Sequence, residues 1–253
     1  MATFDDLIHE AATASVDGWD FSWLDGRASE QRPSWRYQHL MSEHLAHAHA
    51  ALDLQTGGGE VLNGAPTLPP TMAATESWPP NIAKATQLLH PRGVVVVADT
   101  DGAPLPFGDD AFDLILSRHP VTVRWEEVAR VLRPGGTYLS QEVGPASVFE
   151  LVEYFLGPQP DDVRNIRHPD HARAGAEKAG LDITDLRLEN LRTEFHDIGA
   201  VVYFLRKVIW MVPGFTVEHY LPQLRALHEH INEHGPFVAT TTRFLLKARL
   251  PES

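Results

Sequence analysis

Short apolar runs alternate with amphipathic stretches along most of this chain. Ala51-Leu52-Asp53-Leu54 is an apolar run broken by one acid, as in a buried strand. Thr71-Met72-Ala73-Ala74-Thr75-Glu76 reads as a short strand ending in a carboxylate. Val94-Val95-Val96-Val97-Ala98 is a β-branched run suited to a central parallel strand. Further strands are expected at 112–117, at about 136–142, at 181–191 and at 237–248. Helical periods fall between them. The stretch 79–89 sets Ile82, Ala85, Leu88 and Leu89 on one face, and the helix from about Trp125 does the same with Val128, Val131 and Leu132. Two more helices are expected at 148–155 and at 169–179, the second stopped by Gly180. Strands alternating with helices in this way specify an α/β fold with a mainly parallel sheet.

The two ends of the chain depart from that alternation. Residues 3–14 and 33–48 read as helices joined by a link containing Trp19, Phe21 and Trp23. Those aromatics either anchor an N-terminal segment or belong to a cover over a substrate. The connection 194–235 is too long for a hairpin loop. It holds two expected helices, 198–211 and 217–233, parted by Val212-Pro213-Gly214, with Pro222 delaying the start of the second. The first is apolar on more than one face, which suits a lid or a homodimer interface.

The turn after the first strand carries the chemistry. Gln55-Thr56-Gly57-Gly58-Gly59 lets the backbone approach a ligand closely, because glycine has no Cβ and reaches positive φ cheaply. Glu76 follows at about the distance where a Rossmann-type site places an acid for ribose hydroxyls. The spacing is not the G-x-G-x-x-G of a dinucleotide fold, which makes a nicotinamide-dependent oxidoreductase a distant reading.

Asp53, Gln55, Gly57 and Gly59 form D-x-Q-x-G-x-G, which resembles the first motif of class I S-adenosylmethionine-dependent methyltransferases, with Gln55 standing at that family's usual first glycine. Leu105-Pro106-Phe107, then Phe112-Asp113-Leu114, then Leu132-Arg133-Pro134-Gly135-Gly136 follow in the family's order over about residues 50–142. The resemblance implies a Rossmann-like seven-stranded sheet with helices on both faces. It also implies an N-terminal helical cover over 1–49 and a methyltransferase domain over 50–253, with the 194–235 connection as a helical insertion before the last strand. It implies S-adenosyl-L-methionine as cofactor and methyl transfer to a small-molecule acceptor by in-line displacement. The cofactor's surroundings would be Asp53, Gln55, Thr56, Gly57, Gly58 and Gly59, with Glu76 on the ribose. Asp101 with Gly102, or Asp99 in its place, would meet the adenine edge, and Ser117 and His119 would lie beside the methyl group. His119 and Glu142 are the candidate catalytic bases. The alternative is a catalytically inactive binding or scaffold protein on the same fold, motivated by Gln55.

Composition narrows the partners. A net charge of −13 argues against a nucleic-acid footprint, and Arg164, Arg167 and Arg173 read as solvated surface. No apolar run nears the roughly 18–20 residues needed to span a bilayer. The absence of cysteine excludes a disulfide framework and fits a cytoplasmic protein. His44, His47 and His49 form one histidine cluster, and His228, His230 and His234 another. Neither completes a metal-ligand set, so no metal is expected.

Overall fold

The computed structural model describes residues 2–100 and 102–252, so Asp101 lies outside the described residues. Eight strands make one sheet: β1 (Ala28–Glu30), β2 (Ala50–Leu54), β3 (Thr71–Glu76), β4 (Val95–Ala98), β5 (Phe112–Arg118), β6 (Leu132–Val143), β7 (Asp182–Phe195) and β8 (Phe237–Arg249). Their order is β1-β7-β8-β6-β5-β2-β3-β4. The strands from β2 to β6 pair in parallel, and β8 runs antiparallel to β6. This is the expected α/β architecture with one strand more than the seven expected. The addition is β1, three residues antiparallel to β7 and too short to carry a period of its own.

The chain divides into two compact units. The first takes the chain up to Arg32, Pro145–Ile166 and Asn190–Thr242. Its core gathers the helices Phe4–Thr13, Phe149–Leu156, Ile198–Lys207 and Leu221–His234 around Phe195, Val201, Leu205 and Leu224. The first helix opens on a capping box in which Thr3 and Asp6 satisfy each other's backbone and side-chain groups. Arg27 donates to Asp197 at 2.9 Å, and Asp197 caps the helix that starts at Ile198. Trp23 lies between the Arg27 guanidinium, 4.1 Å from its ring centroid, and the Tyr203 ring at 4.5 Å. Trp23 is thus an anchor within this unit.

The second unit takes Pro33–Gly144, Arg167–Glu189 and the chain from Arg243. On one sheet face Ala51, Leu114, Leu116 and Leu139 pack against the helices Tyr37–His47 and Pro79–Leu89 through Met41, Leu45, Ala85 and Leu89. On the other, Leu52, Ile115, Tyr138 and Leu246 pack against the helices Trp125–Val131 and Pro169–Lys178. Strand β2 is buried throughout, as a central parallel strand must be.

Three expectations need correction. The valine run of β4 is the sheet's edge, not its centre: among the described residues it pairs only with β3, and Val95 is 62% exposed. β-Branched side chains favour extended pairing without specifying how many neighbours a strand has. The helix expected over 198–211 ends at Lys207, where Val208 leaves helical geometry ahead of Pro213 and Gly214. The following helix starts at Leu221 rather than at 217, with Pro222 in its first turn. Among the described residues no helix is long and apolar enough to cross a membrane.

Candidate functional site

The sheet changes direction between β2 and β5: from β2 the chain builds outward through β3 to β4, then returns to β5 on β2's other side. Ligands of open α/β sheets bind outside the carboxyl ends of strands at such a switch point. The residues found there are Asp53, Gln55 to Gly59, Glu76, Ser117 and the loop after Arg118.

The glycine turn is built around Glu76. Its Oε2 accepts the Gly57 N–H at 2.8 Å, and its Oε1 accepts those of Ser77 at 2.9 Å and Trp78 at 3.0 Å. Two segments about 20 residues apart are thereby fixed through one carboxylate. Gly57 (φ 64°) and Gly59 (φ 84°) are left-handed. Gly59 also approaches the helix Pro79–Leu89 so closely that a Cβ there would stand 2.8 Å from Leu89 Cδ1. Gly58 differs, because a Cβ on it would meet only the flexible Glu60 carboxylate. Gly59→Ala is therefore expected to cost about 2–4 kcal/mol from left-handed strain and overpacking. Gly58→Ala should cost little, and thermal unfolding of the two variants side by side checks the contrast.

Asp53 is buried at the end of β2. Burial pushes its carboxyl up to about 7, the nearby charge of Glu76 adding to the effect and Arg118 opposing it. The adjacent Thr56 hydroxyl opposes the shift, and Thr56 Oγ1 is buried without a hydrogen-bond partner at good geometry.

Gln55, at φ 54°, holds a left-handed conformation that glycine adopts more cheaply. Both ends of its amide are spent on the loop after β5: Oε1 accepts the Val121 N–H at 2.7 Å and Nε2 donates to the Thr122 carbonyl at 2.7 Å. Ser117 donates to the Leu54 carbonyl at 3.1 Å, a second tie between the same two strand ends. Asp99 is ion-paired with Arg124, which also reaches the Ala103 carbonyl, so this acid is committed to holding its own loop. Gly102 has left-handed geometry, with open space where a Cβ would stand.

His119 sits past the end of β5, where its N–H donates to the Gln141 carbonyl at 2.7 Å and its Nε2 lies 3.2 Å from Gln141 Nε2. Burial and the Arg118, Arg243 and Arg167 guanidiniums hold its pKa well below the usual imidazole range. Glu142, at the end of β6, accepts from the Ser140 hydroxyl at 2.8 Å. Burial pushes its carboxyl up to about 7, with Ser140 and Arg167 opposing.

The supporting residues were not evident beforehand. Trp35 donates to Gln141 Oε1 at 2.8 Å, and the buried Tyr37 hydroxyl donates to the Ser117 carbonyl at 3.0 Å. The aromatic pair at the head of the 33–48 stretch was the available signal. It read there as part of a helix that in fact starts at Tyr37.

Residues 52–140 match a family model described as a methyltransferase domain. No curated protein matches the chain in sequence. Among solved structures, YcgJ from Bacillus subtilis is similar at 20% identity and a TM-score of 0.62, over 87% of this chain and 100% of that one. A geranyl diphosphate methyltransferase in complex with SAM is similar at 12% identity and a TM-score of 0.51, over 84% of each chain. The [4+2]-cyclase SpnF is similar at 19% identity and a TM-score of 0.53, over 88% of this chain and 85% of that one. The matched segment, β2 into β6, holds the glycine turn and both buried acids, and the fold is the one these solved structures share.

Proposed function

We propose that this chain transfers a methyl group from S-adenosyl-L-methionine to a small-molecule acceptor. The observation carrying the proposal is the union of the glycine turn with Glu76, at 2.8 Å from the Gly57 N–H, beside the buried Asp53. The chain's residues fit the cofactor: the turn offers close backbone approach, and Thr56 offers a buried hydroxyl lacking a partner. Glu76 has one lone-pair site left, on Oε2, for a ribose hydroxyl, Asp53 suits a cationic amino group, and Gly102 with the loop held by Asp99 suits the adenine edge. When bound, the cofactor supplies a methyl already activated on a sulfonium.

The protein's tasks are then to align the acceptor, exclude water and remove a proton where the acceptor loses one. Glu142 is the base this chemistry needs, because a carboxyl near 7 is divided between its two forms at neutral pH. The His119 Nε2 lone pair faces Gln141, which leaves that residue a poorer base. Gln55 ties the loop carrying His119 to the glycine turn and keeps the strand ends in register for alignment.

Calorimetric titration with S-adenosylmethionine and S-adenosylhomocysteine tests the reading. Binding of both is expected, and no heat with either would end it. Asp53 adds a pH signature. A cationic amino group favours ionised Asp53, so affinity should weaken as pH falls below about 7, by up to roughly tenfold per unit. Asp53→Asn should flatten that dependence.

A binding or scaffold role without catalysis is the second reading, favoured by Gln55 in place of the family's glycine. The similarity to a [4+2]-cyclase is compatible with the fold serving chemistry other than methylation. Ligand binding without methyl transfer to any acceptor would favour it.

A further inference from the structure

The proton positions around His119 follow from its neighbours. An indole N–H can only donate, so the Gln141 atom 2.8 Å from Trp35 Nε1 is its carbonyl oxygen. The Gln141 amide NH₂ therefore faces His119 Nε2 at 3.2 Å, and that ring nitrogen must present its lone pair. His119 is thus the neutral tautomer with its hydrogen on Nδ1. Adding a second proton would set an N–H against the Gln141 NH₂.

Three arginines from separate segments lie near this ring. Arg118 ends β5 opposite Gln141, Arg243 lies on β8 opposite Val143, and Arg167 precedes the helix Pro169–Lys178. Each lies close enough to His119 to act on it electrostatically, and Arg167 reaches Glu142 as well. Arg118 and Arg243 also engage other protein groups. Arg167 is exposed and makes no hydrogen bond or ion pair among the described residues. The carboxylates opposing this cluster are Asp53, toward Arg118, and Glu142, toward Arg167. Both are held partly protonated near neutrality. The result is a rim of donors with a positive field on a chain of net charge −13.

We propose that Arg118, His119 and Arg167 form an acceptor-recognition site for an anionic group, a carboxylate or a phosphate, bound by guanidinium charge and the His119 Nδ1–H. This rests on the methyl-transfer reading and names the substrate class for that site. A guanidinium always carries its charge and offers no acceptor, so the rim discriminates against cationic acceptors as well as favouring anionic ones.

The test follows the His119 ring resonances by NMR at pH 7, assigned with His119→Gln, during titration with acetate and separately with inorganic phosphate. Each titration is repeated with saturating S-adenosylhomocysteine. A saturable shift of the His119 signals is expected from at least one anion, with and without the nucleoside. Arg167→Gln should weaken it about tenfold, the loss of one charged hydrogen bond. Acetate acting alone, or phosphate acting alone, identifies the group recognised. The proposal is overturned by silence toward both anions, by an unchanged response in Arg167→Gln, or by loss of the response once the nucleoside is bound. The last result would assign the rim to the cofactor's own carboxylate. Failure of S-adenosylhomocysteine to bind at all would sink the methyl-transfer reading, while the anion titration would still read out.

Discussion

Glu76→Ala is expected to weaken S-adenosylhomocysteine binding by tenfold to a hundredfold and to destabilise the unliganded protein by about 2–4 kcal/mol. Two effects add. The carboxylate accepts three backbone N–H groups, from Gly57, Ser77 and Trp78, and truncation leaves three donors without their acceptor in a largely buried place. It also removes the group proposed to meet the ribose. Glu76→Gln separates the two effects. One side-chain oxygen can still serve Ser77 and Trp78, but the amide NH₂ then faces the Gly57 N–H, and charge toward the ribose is gone. That variant should retain most of its thermal stability and still bind poorly. Calorimetry and thermal unfolding on the three proteins decide the matter, and nucleoside affinity unchanged in Glu76→Ala would remove Glu76 from the site.

The link between Glu76 and the glycine turn was legible because its signals are local: a strand ending in an acid, at a fixed distance after a glycine turn. The same holds for the order of segments from β2 to β6, where each motif marks the handover between one strand and one helix. What stayed hidden depends on residues far apart in the chain. Gln141 pairs with Trp35 across 106 positions, and Tyr37 reaches the Ser117 carbonyl across 80, so no period or spacing brings them together. Gln55 shows the limit in another way. Its departure from a glycine was plain, but its role as a tie to Val121 and Thr122 needed the loop's position. The valines of β4 mark the limit for the fold: strand character is written in the side chains, whereas a place at the edge is decided by which segment pairs next.

Glu142→Gln should separate activity from stability, with opposite signs. As the proposed base, Glu142 would carry proton removal, and its loss is expected to lower kcat by about 10²–10⁴-fold for an acceptor that must lose a proton in the transition state. The stability effect follows from the raised pKa. Between about 4.5 and 7 the folded state keeps the Glu142 proton that the unfolded chain releases, so raising the pH through this window costs stability. The cost is complete above about 7 and amounts to at most about 3 kcal/mol. Glutamine is neutral throughout and bears none of it. The variant should therefore match the wild type near pH 4.5 and exceed it at pH 8, while methyl transfer is nearly lost. Urea unfolding at the two pH values, beside single-turnover transfer, measures both. Loss of activity without the pH-dependent gain would mean that Glu142 is already ionised and solvated in the folded protein. Retained activity with the gain would mean that the reaction needs no base there, the acceptor arriving already deprotonated.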